Sequence, residues 1–181
     1  IPLRMFVAMG AVMGLVVYLS VHFSTNRSNR IGSFLNANCD TAGACYQTQH
    51  GIWGLASGGG WGLGLGASRE KWSYLPEAHN DFIAAIVGEE LGFVGILALC
   101  IVYLALTARG VRAAFRAPDD YGSYLAFGIA TMFGAQALVN LCVALAILPT
   151  KGLTLPFLSF GGSSLLVNAV AAGILLNISR Q

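Results

Sequence analysis

Four long apolar runs decide what this chain can fold into. Met5 to Phe23 is broken by Ser20 and His22 alone. Phe82 to Ala108 carries Glu89 and Glu90 as its ionisable residues. Tyr124 to Leu148 carries Thr131, Gln136 and Asn140, and the shorter Ser163 to Ile178 carries Asn168. About 20 apolar residues suffice to cross a bilayer, and a helix satisfies its own backbone hydrogen bonds there. Charge is correspondingly scarce, at 10% of 181 residues, where a soluble domain carries about 25%. Mean hydropathy is +0.69. Such a chain cannot cover itself with a wetted surface, so it reads as an all-α integral membrane protein. A net charge of +2 with scattered basic residues is too small to imply a nucleic-acid partner, and none is expected.

A fifth segment, Tyr46 to Gly66, is apolar but holds eight glycines. Each glycine weakens a helix by roughly 1 kcal/mol relative to alanine, yet small residues let packed helices approach closely. Charge placement helps to decide. With four spans, the basic residues divide five against five across the membrane. With Tyr46–Gly66 crossing as well, Arg27, Arg30, Arg109, Arg112, Arg116 and Arg180 share one side, and four basic residues share the other. The positive-inside rule then places the arginine loop in the cytoplasm and favours five transmembrane helices. Loops Ala67–Asn80 and Pro149–Gly162 fall outside. Residues 1–181 read as a single membrane domain without repeats. The chain opens on Ile1 directly before a membrane segment, which suggests a piece of a longer protein. Cys100 and Cys142 lie in spans as packing residues. Cys39 and Cys45 sit in a loop placed in the reducing cytoplasm, against a disulfide.

The chemistry-bearing residues cluster around the start of the Phe82 run. Arg69, Glu70, Lys71, Glu77, His79 and Asp81 occupy the preceding polar loop. Asp81 sits where loop meets membrane helix. Asn80 or Asp81 would serve as a helix cap. Equally, a carboxylate at a low-dielectric boundary is a strengthened proton acceptor, which suits a general base. Glu77, His79 and Asp81 alternate and would share one side of an extended segment; they read either as a divalent-cation set or as a solvated loop. Glu89 lies eight residues beyond Asp81, about 12 Å deeper by helical rise. Its default role is a hydrogen bond to a neighbouring helix. The second outer loop, LPTKGLTLPFLSFGGSS, offers Lys151 to an anionic phosphate, or to interfacial snorkelling, and ends on Ser163 and Ser164. Neither Thr150–Gly152 nor the Gly62–Gly66 alternation has the spacing of a nucleotide-binding loop.

Two stretches carry a close resemblance. GLGASREKWSYLPEAHNDFIAAIVGEELG and LPTKGLTLPFLSFGGSS resemble the two signature regions of the bacterial SEDS family, whose branches are FtsW, RodA and SpoVE. NRIGSFLNANCDTAGACYQ resembles the family's loop before the glycine-rich segment. The Pro-Thr-Lys-Gly run at 149–152 is more similar to the division and sporulation branches, FtsW above all, than to RodA. Ala84 and Phe160 depart from the family's usual residues.

The resemblance implies the C-terminal half of a ten-helix SEDS fold. It also implies a peptidoglycan glycosyltransferase that polymerises lipid II during septal wall synthesis. Asp81 falls on the family's essential aspartate and would be the catalytic base. Lys71, Glu77, His79, Lys151, Ser163 and Ser164 would bind substrate, with Lys71, Lys151 or a divalent cation (Mg or Mn) countering the leaving pyrophosphate. No dedicated metal site is assigned. The implied partners are lipid II, a class B penicillin-binding protein, other divisome membrane proteins and membrane lipids. The implied location is the bacterial cytoplasmic membrane at the division septum. A half-length chain is expected to polymerise nothing alone. Two alternatives remain open: a lipid II flippase, and a non-enzymatic divisome scaffold.

Overall fold

The computed structural model describes residues 3–23, 44–68, 70, 82–149 and 152–180. These form five helices: α1 (Leu3–His22), α2 (Ala44–Gly58), α3 (Ile83–Arg116), α4 (Asp120–Ala144) and α5 (Gly162–Arg180). The chain divides into two units, 1–46 and 47–181. In the first, α1 is a 20-residue helix, about 30 Å long. The second holds nearly all of α2, with α3, α4 and α5. The last three are long and apolar enough to cross a membrane. The all-α membrane class expected from the sequence is the one observed.

Small residues set how α3, α4 and α5 pack. Ala126, Ala130 and Phe133 of α4 are fully buried. A Cβ on Gly110 of α3 would come within 2.6 Å of the Ala130 Cβ and 3.3 Å of Leu175 on α5. Glycine therefore lets three helices close at one level, as membrane helices do when no hydrophobic drive separates them from lipid. One cluster, Ala114, Ala126, Leu175 and Ile178, joins the end of α3, the start of α4 and the end of α5. Another, Phe82, Ala85, Ile86 and Val143, joins the start of α3 to the end of α4, with Leu55 of α2 and Leu148 packed on it. The three helices therefore alternate in direction. One end of the bundle gathers the starts of α3 and α5 and the close of α4. The other gathers the arginines.

The segment 46–66 differs from a continuous span. Helix α2 stops at Gly58 after 15 residues, roughly 22 Å against a hydrocarbon core of about 30 Å. It runs alongside the first part of α3 in the same direction. Gly51 faces Phe82, Gly54 faces Ala85 and Glu89, and Gly58 faces Gly88. The chain then turns back through 59–68, so that Ser68 also reaches Glu89.

Helix α3 is interrupted where this return segment meets it. Gly92 has φ 67° and ψ −162°, a conformation open to glycine almost alone. Its neighbours' backbone groups lose their helical partners. The return segment supplies new ones. Leu63 and Gly64 N–H donate to the Glu89 and Glu90 carbonyls, at 3.0 Å each. Phe93 and Val94 N–H donate to the Gly59 and Gly60 carbonyls, at 2.9 and 3.3 Å. An unsatisfied backbone group away from water costs several kcal/mol, so these four bonds make the break tolerable.

Close approach of two backbones requires glycine here. A Cβ on Gly62, at φ 82°, would lie 2.1 Å from the Glu90 carbonyl oxygen. Gly62→Ala should lower the stability of the complete protein by about 1–3 kcal/mol or more, read by thermal melting in detergent. Gly128→Ala, with nothing within 4 Å of its Cβ, should leave melting unchanged or slightly raised. Equal melting of both variants would show that the return segment does not pack as described.

Candidate active site

Two carboxylates, Glu89 buried and Glu70 half-buried, approach each other under the start of α3. Glu89, on α3, is 1% exposed. Ser68, also 1% exposed, donates its hydroxyl to Glu89 Oε2 at 2.5 Å. Glu70 lies two residues further along and pairs with His50 Nδ1 on α2 at 2.7 Å. The His50 ring meets Trp53 edge-on, with centroids 5.0 Å apart. Between the two carboxylates stands Gly54. A Cβ there would lie 3.4 Å from Glu70 Cγ and 3.7 Å from Glu89 Oε2. The return segment, α2 and α3 thus converge on one polar core. A buried carboxylate is tolerated only when it is hydrogen-bonded; Ser68 partners Glu89, and His50 partners the half-buried Glu70.

The N-cap of α3 is Phe82, which makes no side-chain capping bond. Its ring is 2% exposed and packs on Gly51. Asp81 directly precedes it in the sequence. Asp81 lies outside the described residues, as do Asn80, Arg69, Lys71, Glu77, His79 and Lys151. The cap and base readings of Asp81, and the shared side expected for Glu77, His79 and Asp81, are therefore carried by sequence alone.

The second outer loop is described on either side of Lys151. It leaves α4 through Leu148, which packs on the Phe82 cluster. Asn140 anchors it, donating Nδ2 to the Leu153 carbonyl at 2.7 Å. Leu155 is 1% exposed, and its N–H donates to Ser159 Oγ at 2.7 Å. The Tyr103 hydroxyl of α3 donates to the Pro156 carbonyl. Phe157, at φ 64°, places its ring 5.4 Å from Phe133. Ser164 is held within the loop root: its hydroxyl lies 2.9 Å from Thr154 Oγ1 and accepts from Asn168 Nδ2 at 3.3 Å. Ser163 is exposed. Of the two expected serines, Ser163 is the one left open to a ligand, while Ser164 shapes the loop.

Among the described residues, no three His, Cys, Asp or Glu side chains converge as a metal site. The site instead couples two loops to one platform. Phe82, which Asp81 precedes, and Leu148, three residues before Lys151, belong to one packed cluster. The sequence had marked Asn140 as a polar interruption, but not as the anchor of this loop. It gave no hint of the His50–Glu70 pair or of Ser68 as the partner of Glu89. The spacing in each case is non-local, 20 and 21 residues.

Removing Ser68 leaves a buried carboxylate oxygen short of a donor, which costs about 1–3 kcal/mol. Ser68→Ala should therefore destabilise the complete protein by that amount. Combined with Glu89→Gln, the two changes should be non-additive by at least about 0.5 kcal/mol. Strict additivity in melting experiments would contradict the contact.

The sequence pattern of the family described as "Cell cycle protein", comprising FtsW, RodA and SpoVE, matches residues 1–181. A probable peptidoglycan glycosyltransferase FtsW from Trichlorobacter lovleyi is 48% identical over 167 residues, covering 92% of this chain and 44% of the relative. The Geobacter sulfurreducens protein of the same description is 46% identical over 178 residues, 98% of this chain and 48% of its own. Stage V sporulation protein E of Bacillus subtilis is 46% identical over 154 residues, 85% of this chain and 42% of its own. The chain thus spans a little under half the length of these relatives. Among solved structures, a chain of a peptidoglycan synthase complex that coordinates polymerization and crosslinking superposes with a TM-score of 0.67 at 30% identity, covering 98% of this chain and 49% of that one. A mutant of the rod shape determining protein RodA from Thermus thermophilus gives 0.57 at 35% identity, covering 71% and 40%. With the family's pattern running the length of the sequence and relatives close to half identical along nearly all of it, the chain belongs to the FtsW/RodA/SpoVE family.

Proposed function

We propose that the complete protein is a peptidoglycan glycosyltransferase that polymerises lipid II, most like FtsW and working at the division septum of the bacterial cytoplasmic membrane. Relatives named for that activity support the reading. The structural observation that carries it is the common cluster of Phe82 and Leu148. It roots the segment that follows Asp81 and the segment that leads to Lys151 at the same end of the bundle. A base and a cation that act on one sugar–phosphate bond must come from neighbouring roots.

In this reading the Asp81 carboxylate takes the proton from the acceptor sugar's 4-hydroxyl. The oxygen attacks the donor's anomeric carbon. The bond from that carbon to the pyrophosphate oxygen breaks, and the lipid pyrophosphate leaves with the electron pair. Lys71 and Lys151 offset the charge that develops on the leaving group. Ser163, Glu77 and His79 complete the substrate contacts. Glu89 and Glu70, held by Ser68 and His50, position the platform and touch no reacting atom. A divalent cation would supply further charge neutralisation to the pyrophosphate; Glu77, His79 and Asp81 are the residues whose chemistry suits it. The neighbour whose complex combines polymerization with crosslinking supports a crosslinking partner, here read as a class B penicillin-binding protein transpeptidase, among other divisome membrane proteins.

The test is lipid II polymerisation by the complete protein with its transpeptidase. Asp81→Asn should lower the rate by at least about 100-fold, the scale of a lost general base, while complex formation and melting stay at wild-type values. Undiminished polymerisation with intact assembly would sink the reading and leave a scaffold or flippase in its place. Lys151→Gln should lower kcat by about tenfold or more, because its charge is needed as the pyrophosphate leaves; an unchanged rate would remove it from the site.

A further inference from the structure

The opposite end of the bundle holds a cavity that the proposed chemistry does not use. It has a volume of about 620 Å³ and opens between the ends of α3 and α5. Arg109, Arg112 and Arg116 line it from α3, and Arg180 closes it from α5. The α3 arginines recur at i, i+3 and i+7, so they share one helix face. The rest of the lining is apolar or small: Leu106, Leu175, Leu176 and Ile178 with Gly110 and Ala113. Ser179 also lines it, but its hydroxyl donates to the Leu176 carbonyl.

The charge here is not spent inside the described structure. No acidic residue lines the cavity. Among the described residues, none of these four arginines forms an ion pair with a carboxylate; the pair there is His50–Glu70. The nearest acids in the sequence, Asp119 and Asp120, belong to the start of α4, and Asp119 accepts from Gly122 N–H at 2.8 Å. Helix termini do not balance the site either. The C-termini of α3 and α5 offer about −0.5 charge each, and the N-terminus of α4 returns about +0.5. With Asp119 and Asp120 counted against the four guanidinium groups, a net charge of about +1.5 remains at this end.

We infer that this cavity binds the phosphate headgroup of an anionic diacyl phospholipid, with the acyl chains lying along the leucines. Guanidinium groups match phosphate oxygens in bidentate fashion. Basic pockets between membrane helices on the cytoplasmic side suit such headgroups. Arg109, Arg112, Arg116 and Arg180 fall on one side of the membrane whether four or five segments cross, and in the five-segment count that side is the cytoplasmic one, six basic residues against four. A free phosphate would satisfy the arginines but leave the apolar wall in contact with water. The wall is what selects a lipid over a soluble anion.

The test uses the complete protein, delipidated in detergent and examined by native mass spectrometry. Phosphatidylglycerol, phosphatidylcholine and glycerol 1-phosphate are the probes. Phosphatidylglycerol should be retained at least tenfold over phosphatidylcholine, and glycerol 1-phosphate should not compete. Replacing all four arginines by glutamine should abolish the preference, and replacing them by lysine, which keeps the charge but not the bidentate fork, should keep only part of it. Arg4→Gln, outside the cavity, should change nothing. If the fourfold glutamine variant does not fold, Arg112→Gln alone should weaken retention about fivefold, the effect of one basic residue near a membrane surface. Three results would overturn the inference: equal retention of the two lipids, as when another segment of the complete protein fills the cavity; a preference that survives glutamine replacement; or equal competition by glycerol 1-phosphate.

Discussion

The structure depends on how the break at Gly92 is satisfied. A helix in an apolar setting cannot leave backbone groups unpaired. At Gly92 the α3 ladder is interrupted, and the carbonyls of Glu89 and Glu90 and the amides of Phe93 and Val94 turn outward. The glycine segment after α2 pairs with all four. Such pairing demands backbone-to-backbone approach, which is why Gly58 and Gly62 face carbonyl oxygens at distances no side chain would survive. The glycine richness of 58–66 and the interruption of α3 are two halves of one arrangement.

Everything at this end of the bundle is placed by it. Once the return segment is seated, Ser68 reaches Glu89 and Glu70 reaches His50. Phe82 is pinned over Gly51, so the point where the Asp81 loop enters α3 is fixed. Leu148 packs on the same cluster, which fixes the departure of the second loop. The far end is built on a different rule. Twenty residues separate Glu89 from Arg109, roughly 30 Å of helix, about one hydrocarbon thickness. Glu70, Glu89 and the proposed chemistry occupy one end of the bundle, and the four arginines of the cavity the other.

Much of this was legible in the sequence, and the rest was hidden for definite reasons. Hydropathy found α1, α3, α4 and α5, because an apolar run of membrane length has few other uses. It ended the second run at Ala108, while the helix continues to Arg116; the arginines leave the apolar phase without leaving the helix. For 46–66 the glycines correctly signalled close approach, but periodicity cannot reveal that the chain turns back. The four bonds that define the turn join backbone groups some 30 residues apart and carry no side-chain signature. Glu89 was expected to bond to a neighbouring helix. Ser68, which lies beyond α2 in the return segment, donates to it. The resemblance named the family and the motifs, and the comparisons bear out that membership. The residues of the first motif from 71 to 81 lie outside the described structure, so the placement of Asp81 rests on its adjacency to Phe82.

The most direct test of the central arrangement is amide hydrogen exchange of the complete protein at residues 59–66 and 92–95. Glycine loops with open backbones exchange at rates close to those of an unfolded chain. If the return segment pairs with the break, the amides of Leu63, Gly64, Phe93 and Val94 should be protected together and lose protection together when Gly62 is replaced by alanine. Fast exchange at Leu63 and Gly64 in the unaltered protein would contradict the account, since the backbone groups around Gly92 would then lack the partners on which the rest of the site is built.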